Sequence, residues 1–170
     1  TEGGLDGNTN SGSEDLYLVK YNSSGTKQWT KQLGTESRDR GYGIVKDSSD
    51  NSYVTGYTEG GLDGNTNSGN DCKYPPCTDI ILVKYNSDGV KQWTKQLGTS
   101  NNEYAYAVAS DSSDNIYVTG MTWGGLDGRT KPSYCMGYGT VKASRECTDI
   151  FLVKYNSSGT KQWVKQLEGS

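Results

Sequence analysis

The side chains with chemistry to offer are few, and the first thing to note is what they lack. The 170-residue chain contains no histidine, which removes the commonest general base, metal ligand and pH switch together. Carboxylates do occur in pairs, in the turns Asp47-Ser-Ser-Asp50 and Asp111-Ser-Ser-Asp114. Glycoside hydrolysis needs two acids facing each other across a cleft at a defined separation, and nothing in this spacing sets one. Asp, Ser and Asn in such runs bond to their own backbone and make turns. With no base, nucleophile or metal constellation to assemble, the chain is expected not to be an enzyme.

The four cysteines form two groups, Cys72 with Cys77 and Cys135 with Cys147. An even count arriving as one pair per loop suggests disulfides and an oxidising, extracellular or cell-surface location. Three pairings are open. Cys72–Cys77 and Cys135–Cys147 are favoured, because each pair lies inside its own insertion. Free thiols and a four-cysteine zinc site are the alternatives. Zinc knuckles place only about two to four residues between paired cysteines, and the eleven residues between Cys135 and Cys147 argue against that site.

The loop Asp6-Gly-Asn8-Thr-Asn10-Ser-Gly12 recurs as Asp63-Gly-Asn65-Thr-Asn67-Ser-Gly69. Oxygen ligands that alternate along a turning backbone resemble the start of a calcium loop. Asp15 and Asp79 add a carboxylate at the head of the strand that follows. Calcium is thus a candidate ligand of Asp6, Asn8, Asn10 and Asp15, and of Asp63, Asn65, Asn67 and Asp79. A plain polar turn is the other reading. In the third copy, Arg129 and Lys131 replace both asparagines, so that copy is expected not to bind.

Trp29, Trp93 and Trp163 recur with the framework and read as packing residues. Trp123 does not recur. It sits beside Gly124-Gly125, where the preceding unit has Glu59, and with Tyr134 and Tyr138 it is a candidate ligand-binding surface. Packing against its own loop is the alternative. Asn22-Ser-Ser and Asn156-Ser-Ser fit the glycosylation sequon.

The elements that must position these residues repeat along the chain. Leu18-Val-Lys-Tyr-Asn-Ser-Ser-Gly-Thr-Lys-Gln-Trp29 returns nearly unchanged from Leu82 and from Leu152. Residues 34–51 align without a gap on 98–115, and 58–69 repeat 1–12 identically. Length varies in one loop only: Leu5 and Asp15 are ten positions apart, Leu62 and Asp79 seventeen, and Leu126 and Asp149 twenty-three. Such confinement puts the loops on one face of a stacked architecture.

Each unit carries four strand signals. The first is Tyr42–Val45 or Tyr106–Ala109, with small residues suited to a crowded inner strand. An Asp-Ser-Ser-Asp-Asn hairpin turn leads to the second, Tyr53–Gly56 or Tyr117–Gly120. The third, Ile80–Tyr85 and its equivalents, is apolar on both faces and is expected to be buried on both. The fourth, Lys91–Leu97, mixes Trp and Leu with Lys and Gln, as an outer strand does. The expected fold is all-β: ten strands forming about two and a half β-propeller blades of four antiparallel strands. Residues 1–34 supply strands three and four of a half blade, 35–98 a full blade and 99–170 another. Two and a half blades cannot close a ring of roughly four to eight. The half blade is therefore expected to be completed by another copy or by the rest of a longer propeller.

Asp-x-x-Leu-Val-Lys-Tyr-Asn-Ser-x-Gly-x-Lys-Gln-Trp, followed by Asp-Ser-Ser-Asp-Asn-x-Tyr-Val-Thr-Gly and Gly-Gly-Leu-Asp-Gly, closely resembles the bacterial seven-bladed β-propeller repeat family. The likeness covers the chain apart from the cysteine loops. It implies extracellular or cell-surface repeat proteins with binding or structural roles, and it brings no catalytic residue.

Net charge is -3 with lysines spread along the chain, which argues against a nucleic-acid partner. No apolar run is long enough for a membrane span. Two functions follow. One is a structural or adhesive protein that assembles head to tail into a filament by completing the half blade in trans. The other is a lectin-like propeller that reads glycans or another ligand with its disulfide-stapled loop face.

Overall fold

The computed structural model describes residues 1–69, 76–129 and 148–167. Ten strands occur among them: β1 Leu16–Tyr21, β2 Lys27–Leu33, β3 Asp39–Lys46, β4 Ser52–Thr58, β5 Asp79–Tyr85, β6 Lys91–Leu97, β7 Glu103–Ser110, β8 Ile116–Thr122, β9 Asp149–Tyr155 and β10 Lys161–Leu167. They form three antiparallel sheets: β1-β2, β3-β4-β5-β6 and β7-β8-β9-β10. Each sheet is a meander, so consecutive strands are always neighbours.

Side chains close the hairpins locally. Asp47 Oδ1 accepts the backbone N–H groups of Ser49 and Asn51, at 3.0 and 2.9 Å, and Asp111 repeats this with Ser113 and Asn115. The first carboxylate of each Asp-Ser-Ser-Asp run is a turn builder. Between β1 and β2, Asn22 Oδ1 accepts from the Ser24 and Thr26 N–H groups, while Gly25 takes a φ of 77°, open to glycine without strain. Asn86 and Asn156 play the same part.

The sheets pack face to face through two apolar seams. The first holds Leu16, Leu18, Val54, Leu62, Ile81, Val83 and Tyr85, with Trp29 and Leu33 at its margin. The second is larger. Its buried residues include Tyr53, Ile80, Leu82, Ile116, Val118, Phe151 and Val153, with Trp93 and Leu97 packed against them. Alternation along β5 sends Ile81 and Val83 into one seam and Ile80 and Leu82 into the other. That strand is buried on both faces, as its sequence predicts. Strands β1 and β9 differ from the expectation. Tyr17 and Tyr21 of β1 and Ile150 and Leu152 of β9 are exposed, because each of these strands has a neighbouring sheet on one side only.

Backbone bonds tie the seams at the loop end. The N–H of Asp39 donates to Glu14 O at 2.6 Å, and that of Glu103 to Thr78 O at 2.9 Å. Each joins the head of an inner strand to a residue one or two positions before a third strand. At the opposite end, Ser48 donates to Asp114 through its N–H and its hydroxyl.

Candidate recognition face

The Gly-Gly-Leu-Asp-Gly loop is held by one side chain, used three times. Gln32, Gln96 and Gln166 lie on the fourth strands. Each accepts an N–H at Oε1, from Leu5, Leu62 and Leu126 at 3.0, 3.1 and 3.0 Å. Each donates from Nε2 to Gly3, Gly60 or Gly124 O. The same Nε2 donates to Oδ2 of Asp15, Asp79 or Asp149, at 3.1, 3.0 and 2.6 Å. One glutamine therefore clasps the start of the loop and the strand that ends it. Beside it, Asp6, Asp63 and Asp127 take φ values of 50°, 52° and 59° and pair with Lys27, Lys91 and Lys161 of the fourth strand.

These bonds account for most of the candidate calcium ligands. Asp6 and Asp63 turn to their lysines and to Thr30 and Thr94. Asn8 and Asn65 donate to the carbonyls of Leu5 and Leu62, both at 2.7 Å. Asn10 and Asp15 do come together, around the amide of Gln32, which donates to both. In the second copy Asn67 turns instead to Cys77 O, and Asp79 accepts from Ser68 and Gln96. Among the described residues, no group of three or more Asp, Glu or Cys side chains gathers at a metal-holding distance.

Cys77 is buried and is not a free thiol. Cys72, Cys135, Cys147, Tyr134 and Tyr138 lie outside the described residues. No helix among the described residues is long and apolar enough to cross a membrane.

Buried acids line the loop end of the seams. Asp15, Asp39, Asp79 and Glu103 are each at most 2% exposed. Burial holds the carboxyls of Asp39 and Asp79 above their usual range, and pushes that of Glu103 up to about 7. The Asp15 charge adds to the effect on Asp39, and that of Asp79 to the effect on Glu103.

On the same rim, the inner strands present tyrosines the sequence reading did not single out. The β3–β4 register slips between Gly41 and Gly43, and the β7–β8 register between Ala105 and Ala107. Tyr42 and Tyr106 are thus the extra residues of two β-bulges, which re-aim a side chain away from the regular pleat. Glycine is required opposite each bulge. A Cβ at Gly56 would run into Arg40 O, and one at Gly120 into Tyr104 O.

The tyrosine rings are continuous. Tyr42 lies 5.9 Å from Tyr57 and 5.7 Å from Tyr106 between centroids. Tyr57 meets Tyr104 edge-on at 5.0 Å. Tyr104 and Tyr106 are nearly parallel, 6° apart in plane, and Tyr104 reaches Trp123 at 6.4 Å. Trp123 thus joins the rim through Tyr104, and its backbone N–H donates to Asn102 O. Burial keeps the Tyr57 phenol protonated up to about 12 and raises that of Tyr106 as well. The nearby charges neutralise one another: Arg40 pairs with both oxygens of Glu14, and Arg38 lies between Glu14 and Glu59. The sequence carries one partial signal for this rim, the shared position of Tyr42 and Tyr106 in the repeat among small residues, and no signal for the bulges that aim them.

The sequence family described as the β-propeller repeat matches residues 28–63 and 92–127. Each match begins on a fourth strand and ends in the Leu-Asp-Gly turn of the next blade, so it spans one of the two seams. An uncharacterised WD repeat-containing protein of Acanthamoeba polyphaga mimivirus is 30% identical over an alignment of 172 positions. The alignment covers 92% of this chain and 12% of that relative's length. Two matches of the β-propeller repeat, laid on sheets of four meandering strands stacked through a two-sided middle strand, show that the chain contains β-propeller repeats.

Proposed function

We propose that this chain is a non-enzymatic, cell-surface structural protein whose blades dock end to end with further blades of the same repeat, a second copy among them. One observation carries the reading. Ile80 and Leu82, both in a closed seam, are 1% exposed, whereas their counterparts Ile150 and Leu152 are 59% and 36% exposed. Leu167, the counterpart of Leu97, is 68% exposed. At the other end Tyr17 and Tyr21 are open where Ile81 and Tyr85 are buried. The two end faces are the two halves of a seam, and a head-to-tail contact between them repeats the internal packing.

Sedimentation of the purified chain over a range of concentrations tests this. Growth into dimers and longer chains, abolished by Leu152→Glu, is the expected result. A monomer at every concentration overturns it.

The surface location rests on the cysteines, since Cys77 is not a free thiol and disulfides persist in oxidising compartments. Pairing of Cys72 with Cys77 and of Cys135 with Cys147 belongs to the same proposal. Peptide mapping without reductant should recover both pairs.

A further inference from the structure

We propose that the rim formed by Tyr42, Tyr57, Tyr104, Tyr106 and Trp123 is a binding platform for a neutral carbohydrate chain. The platform is separate from the end faces and does not depend on assembly.

Its geometry defines the ligand class. Tyr57, 5% exposed, is the floor, while Tyr42 and Tyr106 stand 48% and 46% exposed above it. Both exposed rings are displaced from the pleat by bulges, and each bulge demands its own glycine. Two separate backbone irregularities therefore serve one arrangement of rings. Aromatic faces carry the negative part of the ring quadrupole and attract the weakly positive C–H face of a pyranose. The phenol hydroxyls at the ring edges donate and accept hydrogen bonds with sugar hydroxyls. Burial alone does not call for tyrosine, since a phenylalanine serves that purpose at Phe151 in the seam.

Other flat or aromatic-seeking ligands fit less well. A nucleic acid needs unpaired cations beside the stacking rings, and the arginines here are paired with Glu14 and Glu59. An ammonium group needs aromatic faces turned on one point. Here the rings meet one another in a row, with Tyr57 filling the space beneath. A neutral chain of sugar rings fits a neutral row of phenols.

The test is a titration of the whole chain with soluble oligosaccharides of glucose, mannose and N-acetylglucosamine, read by saturation-transfer NMR and intrinsic fluorescence. At least one series should bind saturably. Tyr42→Ala and Tyr106→Ala should each weaken it about 2- to 10-fold, the value of one aromatic contact, while Tyr106→Phe keeps most of the affinity. Tyr17→Ala, on the end face, should leave sugar binding unchanged while altering assembly. Melting curves establish that the variants fold. No saturable binding to any series, or binding indifferent to Tyr42→Ala and Tyr106→Ala, overturns the proposal. So does binding of a proline-rich peptide, but of no sugar, in a manner sensitive to the same two changes.

Discussion

The two seams follow one plan and close with different acids. In the first, Asp15 and Asp39 meet where Asp39 N–H bonds Glu14 O, and each leaves Oδ1 without a hydrogen bond. In the second, Glu103 stands in place of Asp39. Its longer side chain reaches Thr99 and Thr122, and both its oxygens accept bonds. The extra methylene satisfies the acid more fully, yet burial still raises it to about 7. Hydrogen bonding therefore does not offset the loss of water around a carboxylate in a seam. The apolar contacts hold the blades together, and Asp39, Asp79 and Glu103 subtract from that hold once they ionise.

The largest effect expected from disturbing this comparison lies in the apolar contacts. Leu82→Ala in the second seam should cost about 2–5 kcal/mol, read by denaturant unfolding. Leu18→Ala, at the equivalent place in the smaller first seam, should cost less, since Leu18 retains some exposure. Equal costs would mean that the seams are equally tight.

Next comes pH. A buried acid with a raised pKa keeps its proton in the folded state after the unfolded chain has lost its own. The folded form then binds more protons between about 4.5 and about 7, and stability falls as pH rises through that window. The full loss from Glu103 is on the order of 3 kcal/mol. Glu103→Gln should be more stable than the parent at pH 8 and should flatten the profile of melting temperature against pH. Asp39→Asn should act with the same sign at the first seam.

Smaller effects are expected at the bulges. Gly56→Ala and Gly120→Ala should each destabilise by about 1–3 kcal/mol, since a methyl group meets a backbone carbonyl. Similar losses would show that both bulges are built alike. The smallest effect belongs to Asp63→Ala, which removes the half-exposed pair with Lys91 and should cost less than about 1 kcal/mol by thermal melting.

The strands and their phase were legible because hairpin chemistry is local. Asn22, Asp47 and their repeats make their turn bonds within four residues, so composition and order suffice to place them. The two-sided burial of β5 was legible for the same reason, being written in its unbroken apolar run. What lay across a seam was not. Asp15 and Asp39 are far apart in sequence, and contacts across the seam, among them the backbone bond between Asp39 and Glu14, bring them together. The tyrosine rim was missed for a related reason. A bulge depends on the register of two strands, whereas strand patterns are read along one. Asp6 and Asp63 drew attention as ligands because oxygen spacing was visible, while the lysines that occupy them lie on another strand.

The glutamine clasp bears on how such a chain can change. Gln32, Gln96 and Gln166 fix both ends of each loop to the frame. Residues placed between those ends leave the clasp bonds as they were. Loops whose ends stand ten, seventeen and twenty-three positions apart already occupy the three copies of that gap. Each blade thus offers a socket for interchangeable inserts, where new specificity can be tried by lengthening a loop without redesigning the wall that carries it.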